Sequence, residues 1–404
     1  MSVLKHCLLL LATANTALSF TARASYNFSQ AAIENGDALA KLNADANQAA
    51  RALNLELTRQ GINTSCSADN IQVRKEWRNI PAEERKAFVA AVQCLQASPS
   101  LNDPVKLPSA KSLYDDFVIT HFNQTANIHW TGTFLLWHRY FTWTYEQKLR
   151  TVCGYQGTFP YWEWGYDVED PAASPLFDGS ETSMGSDGAF FLHEGYKLVQ
   201  RLSKTLINLE PGTGGGCVKS GPFVNMTVHV GPRAMLTFGS TNATSVENPL
   251  DDHPRCLKRD LNKHVGKKYS SFLNSTTLIL DNDEHEMFQA VMEGDDRFVD
   301  GQLGVHGGGH YIIGGDPGSD AFISAGEPVF YLHHAQIDRL YWIWQMLDFA
   351  NRQGVSGTET MQNSPPSRNV TVEDTIHLTP IGGPVKLKDL MSTVGGSPFC
   401  YVYE

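Results

Sequence analysis

Seven of the 14 histidines in this 404-residue chain fall into two clusters. The first, "HFNQTANIHWTGTFLLWHRYF", carries His121, His129 and His138 in a strongly aromatic stretch. The second, "VHGGGHYIIGGDPGSDAFISAGEPVFYLHHAQIDRLYW", carries His306, His310, His333 and His334. A lone histidine near aromatics is ordinarily a hydrogen-bonded core residue. Three or more in each of two clusters point instead to metal binding by neutral imidazoles, without carboxylate or thiolate ligands. All-nitrogen ligation of that kind suits copper. His306 and His310 are four residues apart, so a helix through them projects both rings from one face toward one metal.

Two other chemistries use similar residues. HGGG is also an oxyanion-hole loop of lipases and esterases, but that reading needs a G-x-S-x-G nucleophile elbow, which this sequence lacks. A dinuclear zinc hydrolase normally needs a bridging carboxylate, and neither cluster offers one. Gly307, Gly308 and Gly309 each cost roughly 1 kcal/mol in a helix interior relative to alanine. A helix through them must therefore be held by packing or by metal, and the small residues are expected to leave room above the metal.

The elements that must position these histidines are helical. "HWTGTFLLWHRYFTWTYEQKLR" predicts a helix from about residue 132 to 150, and "YLHHAQIDRLYWIWQMLDFANRQG" a second from about 332 to 351. An Ala-rich amphipathic stretch predicts an N-terminal helix ending near Gly61, and "NIQVRKEWRNIPAEERKAFVAAVQCLQ" another, with Pro81 near its first turn and Glu83 and Glu84 favouring its N-terminus. Residues 165 to 280, rich in Gly, Pro, Ser and Asp, read as long loops. The fold class is thus mainly α: a helical core surrounded by long loops and short strands.

With 42% hydrophobic and 19% charged residues, the composition is that of an ordinary globular chain. A formal charge of −11 argues against nucleic acid or an anionic membrane as partner, and leaves a small molecule. "MSVLKHCLLLLATANTALSF" has the n-region, apolar run and small residues of a signal peptide, residues 1–19. Its apolar run is shorter than the roughly 20 residues needed to span a bilayer. The protein is therefore expected to be secreted, with no membrane anchor. Beyond Cys7, six cysteines remain, enough for three disulfides with 15 conceivable pairings. Asn27, Asn63, Asn123, Asn225, Asn242, Asn274 and Asn369 open N-glycosylation sequons.

The spacing H-x7-H-x8-H running into "FLLWHRYF", then H-x3-H followed by "PVFYLHHAQIDRLYW", closely resembles the paired copper signatures of the type 3 dicopper proteins: tyrosinases, catechol oxidases and haemocyanins. "VRKEWRNIPAEERKAFVAAVQCL" looks like the opening of short fungal members, and "YVYE" is similar to the family's closing tyrosine motif. The resemblance implies a four-helix bundle core holding two copper ions, with O2 as co-substrate and small phenols as substrates. It divides the chain into residues 1–19, a helical extension 20–65, and a catalytic domain 66–404. One copper falls to His121, His129 and His138, the other to His306, His310 and His334, and His333 matches a neighbour that is not a ligand. Phe134 and Phe330 match aromatics that shield the imidazoles, and Asp338 and Arg339 match a buried Asp-Arg pair. Gly307, Tyr311, Phe330, Ala321 and Phe322 fall where the family shapes its substrate pocket, Phe322 as a partial lid.

The implied activity is oxidation of o-diphenols to o-quinones. The alternatives are a tyrosinase that also hydroxylates monophenols, including ortho-methoxy ones, and, more remotely, an oxygen carrier. Three departures from the family pattern matter. Asn127 stands where many members have the cysteine of a thioether crosslink, and Gly307 stands where many monophenol-hydroxylating members have asparagine. The sequence also ends at Glu404, so no C-terminal plug domain is expected and the enzyme should be active as made.

Overall fold

The computed structural model describes residues 26–62 and 65–404. The signal-peptide expectation and the Asn63 sequon lie outside those residues. Among the described residues, helices α1 (Gln30–Glu34), α2 (Asp37–Arg59), α3 (Ala82–Ala97), α4 (Leu113–Ile128) and α5 (Phe134–Thr151) form the first half. They are followed by α6 (Lys263–Tyr269), α7 (Phe272–Asp281), α8 (His285–Glu293), α9 (Gly304–Ile313) and α10 (Phe330–Leu347). Among the described residues, no helix is long and apolar enough to cross a membrane.

The four helices α4, α5, α9 and α10 surround the histidines, as the resemblance implied. Ser112 starts α4 by accepting the Asp115 amide, and Asp115 and Asp116 lie in its first turn, where the helix dipole favours them. Helix α10 is buried on all sides over residues 330 to 346, which is why its sequence is apolar and aromatic nearly all round rather than on one stripe.

Boundaries differ from expectation in places. The N-terminal helix breaks at Asn35 and Gly36, where Gly36 has φ of 91° and lies so close to Phe272 that a Cβ would meet the ring at 2.9 Å. The region expected to be loop up to residue 280 contains α6 and α7. Helix α7 opens with a capping box between Ser271 and Asn274, where asparagine stands in for the usual Glu or Gln. The helical segment before residue 66 packs onto the core. Leu39, Leu42, Ala46, Ala50 and Leu53 of α2 belong to the same core cluster as α10, and Asn43 accepts a hydrogen bond from Arg339.

A three-stranded parallel sheet places β1 (Gln72–Glu76) between β2 (Pro160–Tyr161) and β3 (Tyr401–Tyr403). The disulfides pair Cys66 with Cys400, Cys94 with Cys153 and Cys217 with Cys256. Every cysteine among the described residues is therefore bonded, which leaves no thiol for a crosslink near Asn127.

Candidate metal centre

His121 lies inside α4 and His138 inside α5, while His129 caps the C-terminus of α4 in an extended conformation. His306 and His310 share one face of α9, with their Nε2 atoms 3.2 Å apart. His333 and His334 both belong to α10. Two groups of nitrogens close enough to hold an ion result: His121, His129 and His138, and His306, His310, His333 and His334. The groups face each other, with the rings of His138 and His334 stacked at 4.4 Å and those of His129 and His306 at 5.8 Å.

The donor set fits a metal. Backbone carbonyls of Phe322, Thr125 and Phe134 lie 3.0, 3.0 and 2.9 Å from Nδ1 of His121, His129 and His138. Each carbonyl can only accept, so it fixes the tautomer with hydrogen on Nδ1 and the lone pair on Nε2. The Nε2 atoms of His121 and His138 and both nitrogens of His334 are buried without a hydrogen-bond partner in the protein, an arrangement that costs stability unless a ligand completes it. Burial pushes the His129 imidazole down to about 4 and that of His310 to about 3. Burial, reinforced by neighbouring imidazoles, holds His121, His138, His306 and His334 well below the ordinary range. All six rings are thus neutral at physiological pH, the state a metal requires.

His333 lies against the backbone of α9. A Cβ on Gly309 would come within 2.2 Å of its Nδ1, and Trp164 packs on its ring at 5.3 Å. The same close approach corrects the expectation about the glycines. Gly309 makes room for His333 and Gly308 for Ser270 and Tyr269, whereas Gly307 is the least enclosed of the three, a Cβ there meeting Leu303 at 3.2 Å.

Two aromatic rings pack against the imidazoles. Phe134 packs on His138 and His306 at 4.9 and 4.8 Å, and Phe330 on His334, His121 and His310 at 4.2, 5.3 and 5.7 Å. Phe330 is only 1% exposed, so it walls the imidazoles from behind. Ala321 is exposed, and half-buried Phe322 packs on Phe122 with Arg233 over its ring. Tyr311 is half-buried and leans toward Tyr196. What sequence reasoning missed is that Phe322 and Thr125 act through their carbonyls, a role any residue type could fill.

Asp338 and Arg339 are not partners of one another. Asp338 pairs with Arg139 at 2.5 Å and Arg74 at 3.4 Å and accepts the hydroxyls of Tyr401 and Tyr403. Arg339 points the other way, to Glu163 at 2.7 Å. Both tie elements together, and neither is seen to touch an imidazole.

Residues 111–347 match the model of the common central domain of tyrosinase. The chain belongs to the tyrosinase family. Among its relatives, tyrosinase P of Aspergillus terreus is 37% identical over 340 residues, 83% of this chain and 92% of that protein. The N-acetyl-6-hydroxytryptophan oxidase of Emericella nidulans is 34% identical over 84% of this chain and 94% of its own length. A solved structure, a glycine-to-asparagine mutant of a polyphenol oxidase from Thermothelomyces thermophila, superposes with a TM-score of 0.83 at 35% identity. It covers 91% of this chain and 98% of that one. Tyrosinase-family enzymes are copper oxidases that act on phenols, and the two facing histidine groups give this member the corresponding donor set.

Proposed function

We propose that this protein is a secreted oxidase of o-diphenols, converting catechols to o-quinones while O2 is reduced to water. One copper is held by His121, His129 and His138, the other by His306, His310 and His334. The observation that carries this reading is the pair of buried neutral histidine triads facing each other across the stacked rings of His138 and His334. His333, whose nitrogens are as unpartnered as those of His334, is left out of the ligand set because its ring packs beside α9 at Gly309 and Trp164 while His334 stacks on His138 of the facing group.

Bound copper supplies the capacity to accept electrons from the phenol and pass them to O2. The protein's own residues supply geometry and access. Carbonyls at 125, 134 and 322 hold the lone pairs inward, and Phe134 and Phe330 exclude water from the back. His310 is the one half-buried ring among the six, so a phenol approaches over His310 and Gly307.

Gly307 also favours a second reading, hydroxylation of monophenols carrying an ortho substituent, because the glycine itself adds no side chain beside His306 and Leu303 is the one near neighbour at that position. Oxygen uptake by the copper-loaded protein with catechol, tyrosol and 2-methoxyphenol distinguishes the two. The first reading expects two catechols consumed per O2 and little turnover of tyrosol. Comparable rates on all three would replace it with the second, and no uptake on any would remove both.

A further inference from the structure

We propose that Glu293 is a positioning residue that, through Trp130, fixes the backbone carrying His129 and sets its distance from His306. This inference rests on the ligand set proposed above. Of the three histidines in the first triad, His121 and His138 are held by the regular backbone of their helices. His129 lies just past the end of α4, where helical hydrogen bonds no longer constrain the backbone. The next residue, Trp130, has φ of 49°, the left-handed region that a bulky side chain adopts only when its surroundings impose it.

The last turn of α8 holds it from one side, while the Gln362 backbone amide donates to the Trp130 carbonyl at 3.0 Å from another. The Trp130 amide donates to Glu293 Oε1 at 2.7 Å, and the Trp130 indole N–H donates to the Glu293 carbonyl at 3.2 Å. One turn earlier, Gln289 donates to the Thr131 carbonyl at 2.8 Å. Glu293 is 3% exposed and makes no salt bridge among the described residues, so a carboxyl has been buried with backbone as its principal partner. Burying such a group is costly, and here that cost is offset at the one turn that sets His129.

The clamp also joins the two triads. Directly after Glu293 the chain turns at Gly294 and re-enters α9 at Gly304. These two glycines lie so close to the opposite backbone that a Cβ would come within 2.4 Å of the Leu303 carbonyl carbon and 2.1 Å of the Met292 oxygen, respectively. The end of α8 and the start of α9 therefore form one rigid corner. That corner carries His306 and His310 on one side and grips Trp130 on the other, with His129 and His306 stacked between.

The test is copper binding rather than turnover. Metal-free protein is titrated with Cu(I) against a chelator, and the affinities of the two sites are resolved alongside thermal unfolding of the metal-free form. Glu293→Gln keeps an oxygen acceptor for the Trp130 amide and should bind both coppers within about threefold of wild type. Glu293→Asp withdraws the carboxylate by one methylene and should weaken one site by roughly 10- to 100-fold, the range for losing an outer partner of a metal ligand, while leaving the other unchanged. Glu293→Ala should do the same if it folds; the aspartate variant decides the matter if it does not. Unchanged affinity in Glu293→Asp, or equal loss at both sites, overturns the inference. A wild type that holds fewer than two coppers instead overturns the ligand set beneath it.

Discussion

The imidazole of His334 lies nearly parallel to that of His138, ring centres 4.4 Å apart and planes 11° from parallel, although the two belong to different histidine groups. This contact brings α5 and α10 together at the centre, and it singles out His334 over His333 as the ring that faces the opposite triad. The adjacent His333 instead stacks on His306 at 5.8 Å and abuts Gly309.

His334→Ala is accordingly expected to abolish quinone formation and remove one copper from the folded protein. His333→Ala should keep both coppers and lower thermal stability, because it opens a cavity against α9 and Trp164. Metal content beside thermal unfolding checks the pair, and a reversed order of copper loss would assign the ligand to His333.

Gly309→Ala sets two effects against each other. Helix propensity favours alanine by about 1 kcal/mol. The new Cβ would stand 2.2 Å from His333 Nδ1 and 3.1 Å from Trp164 Nε1, and such overpacking typically costs about 1–3 kcal/mol. Net destabilisation is expected in chemical denaturation. The Cβ of Gly307→Asn would lie 3.2 Å from Leu303, a contact a small shift of that side chain relieves, so the variant should fold while raising the monophenol rate relative to the diphenol rate; an unchanged ratio would show that Gly307 does not limit monophenol chemistry.

Asp338 is held below the usual carboxylate range because, although burial raises it, Arg139 and Arg74 outweigh that effect. Asp338→Ala removes the carboxylate shared by two buried guanidiniums, leaving Arg74 to Glu146 and Arg139 to Gln345 and the carbonyls of Leu390 and Met391, and breaking this buried network should cost about 3–5 kcal/mol. The loss should appear in the metal-free protein as well as the loaded one, since Asp338 binds Tyr401 and Tyr403 rather than an imidazole. A deficit seen only after copper loading would contradict this structural role.

His285 packs edge-on to Tyr341 and Trp344 with both ring nitrogens unpartnered, and burial pushes its imidazole down to about 4. An unfolded histidine titrates near 6.5, so between those values the unfolded chain holds a proton that the native state does not. Titration of His285 therefore adds no pH dependence above about pH 7 and destabilises progressively as pH falls, by about 3 kcal/mol near pH 4. His285→Phe should flatten that part of the stability profile of the metal-free protein; an unchanged acid slope would place the titration elsewhere.

Much of the centre was legible because its demands are chemical and local. Imidazole spacing on α9, and aromatics one turn before His138 and His334, leave a pattern that survives in the linear sequence. The features that were not legible depend on backbone or distant partners. The carbonyls of Thr125 and Phe322 leave no residue preference, and Asp338 and Arg339 diverge to partners in β1, β3 and the segment after β2. Helices α6 and α7 are short and lie in a Gly- and Ser-rich region, so their periodicity was weak. The three glycines of α9 looked alike in sequence, and only the packing of His333, Ser270 and Tyr269 separates Gly308 and Gly309 from Gly307.

The central claim is that two facing histidine triads hold two coppers. Purified protein stripped of metal, reloaded with copper, freed of excess and assayed for metal per chain tests it most directly, with catechol oxidation followed at each loading. The account predicts a plateau at two coppers per chain, with activity appearing only as the second site fills. Full activity at one copper per chain, or a plateau at one, would contradict it.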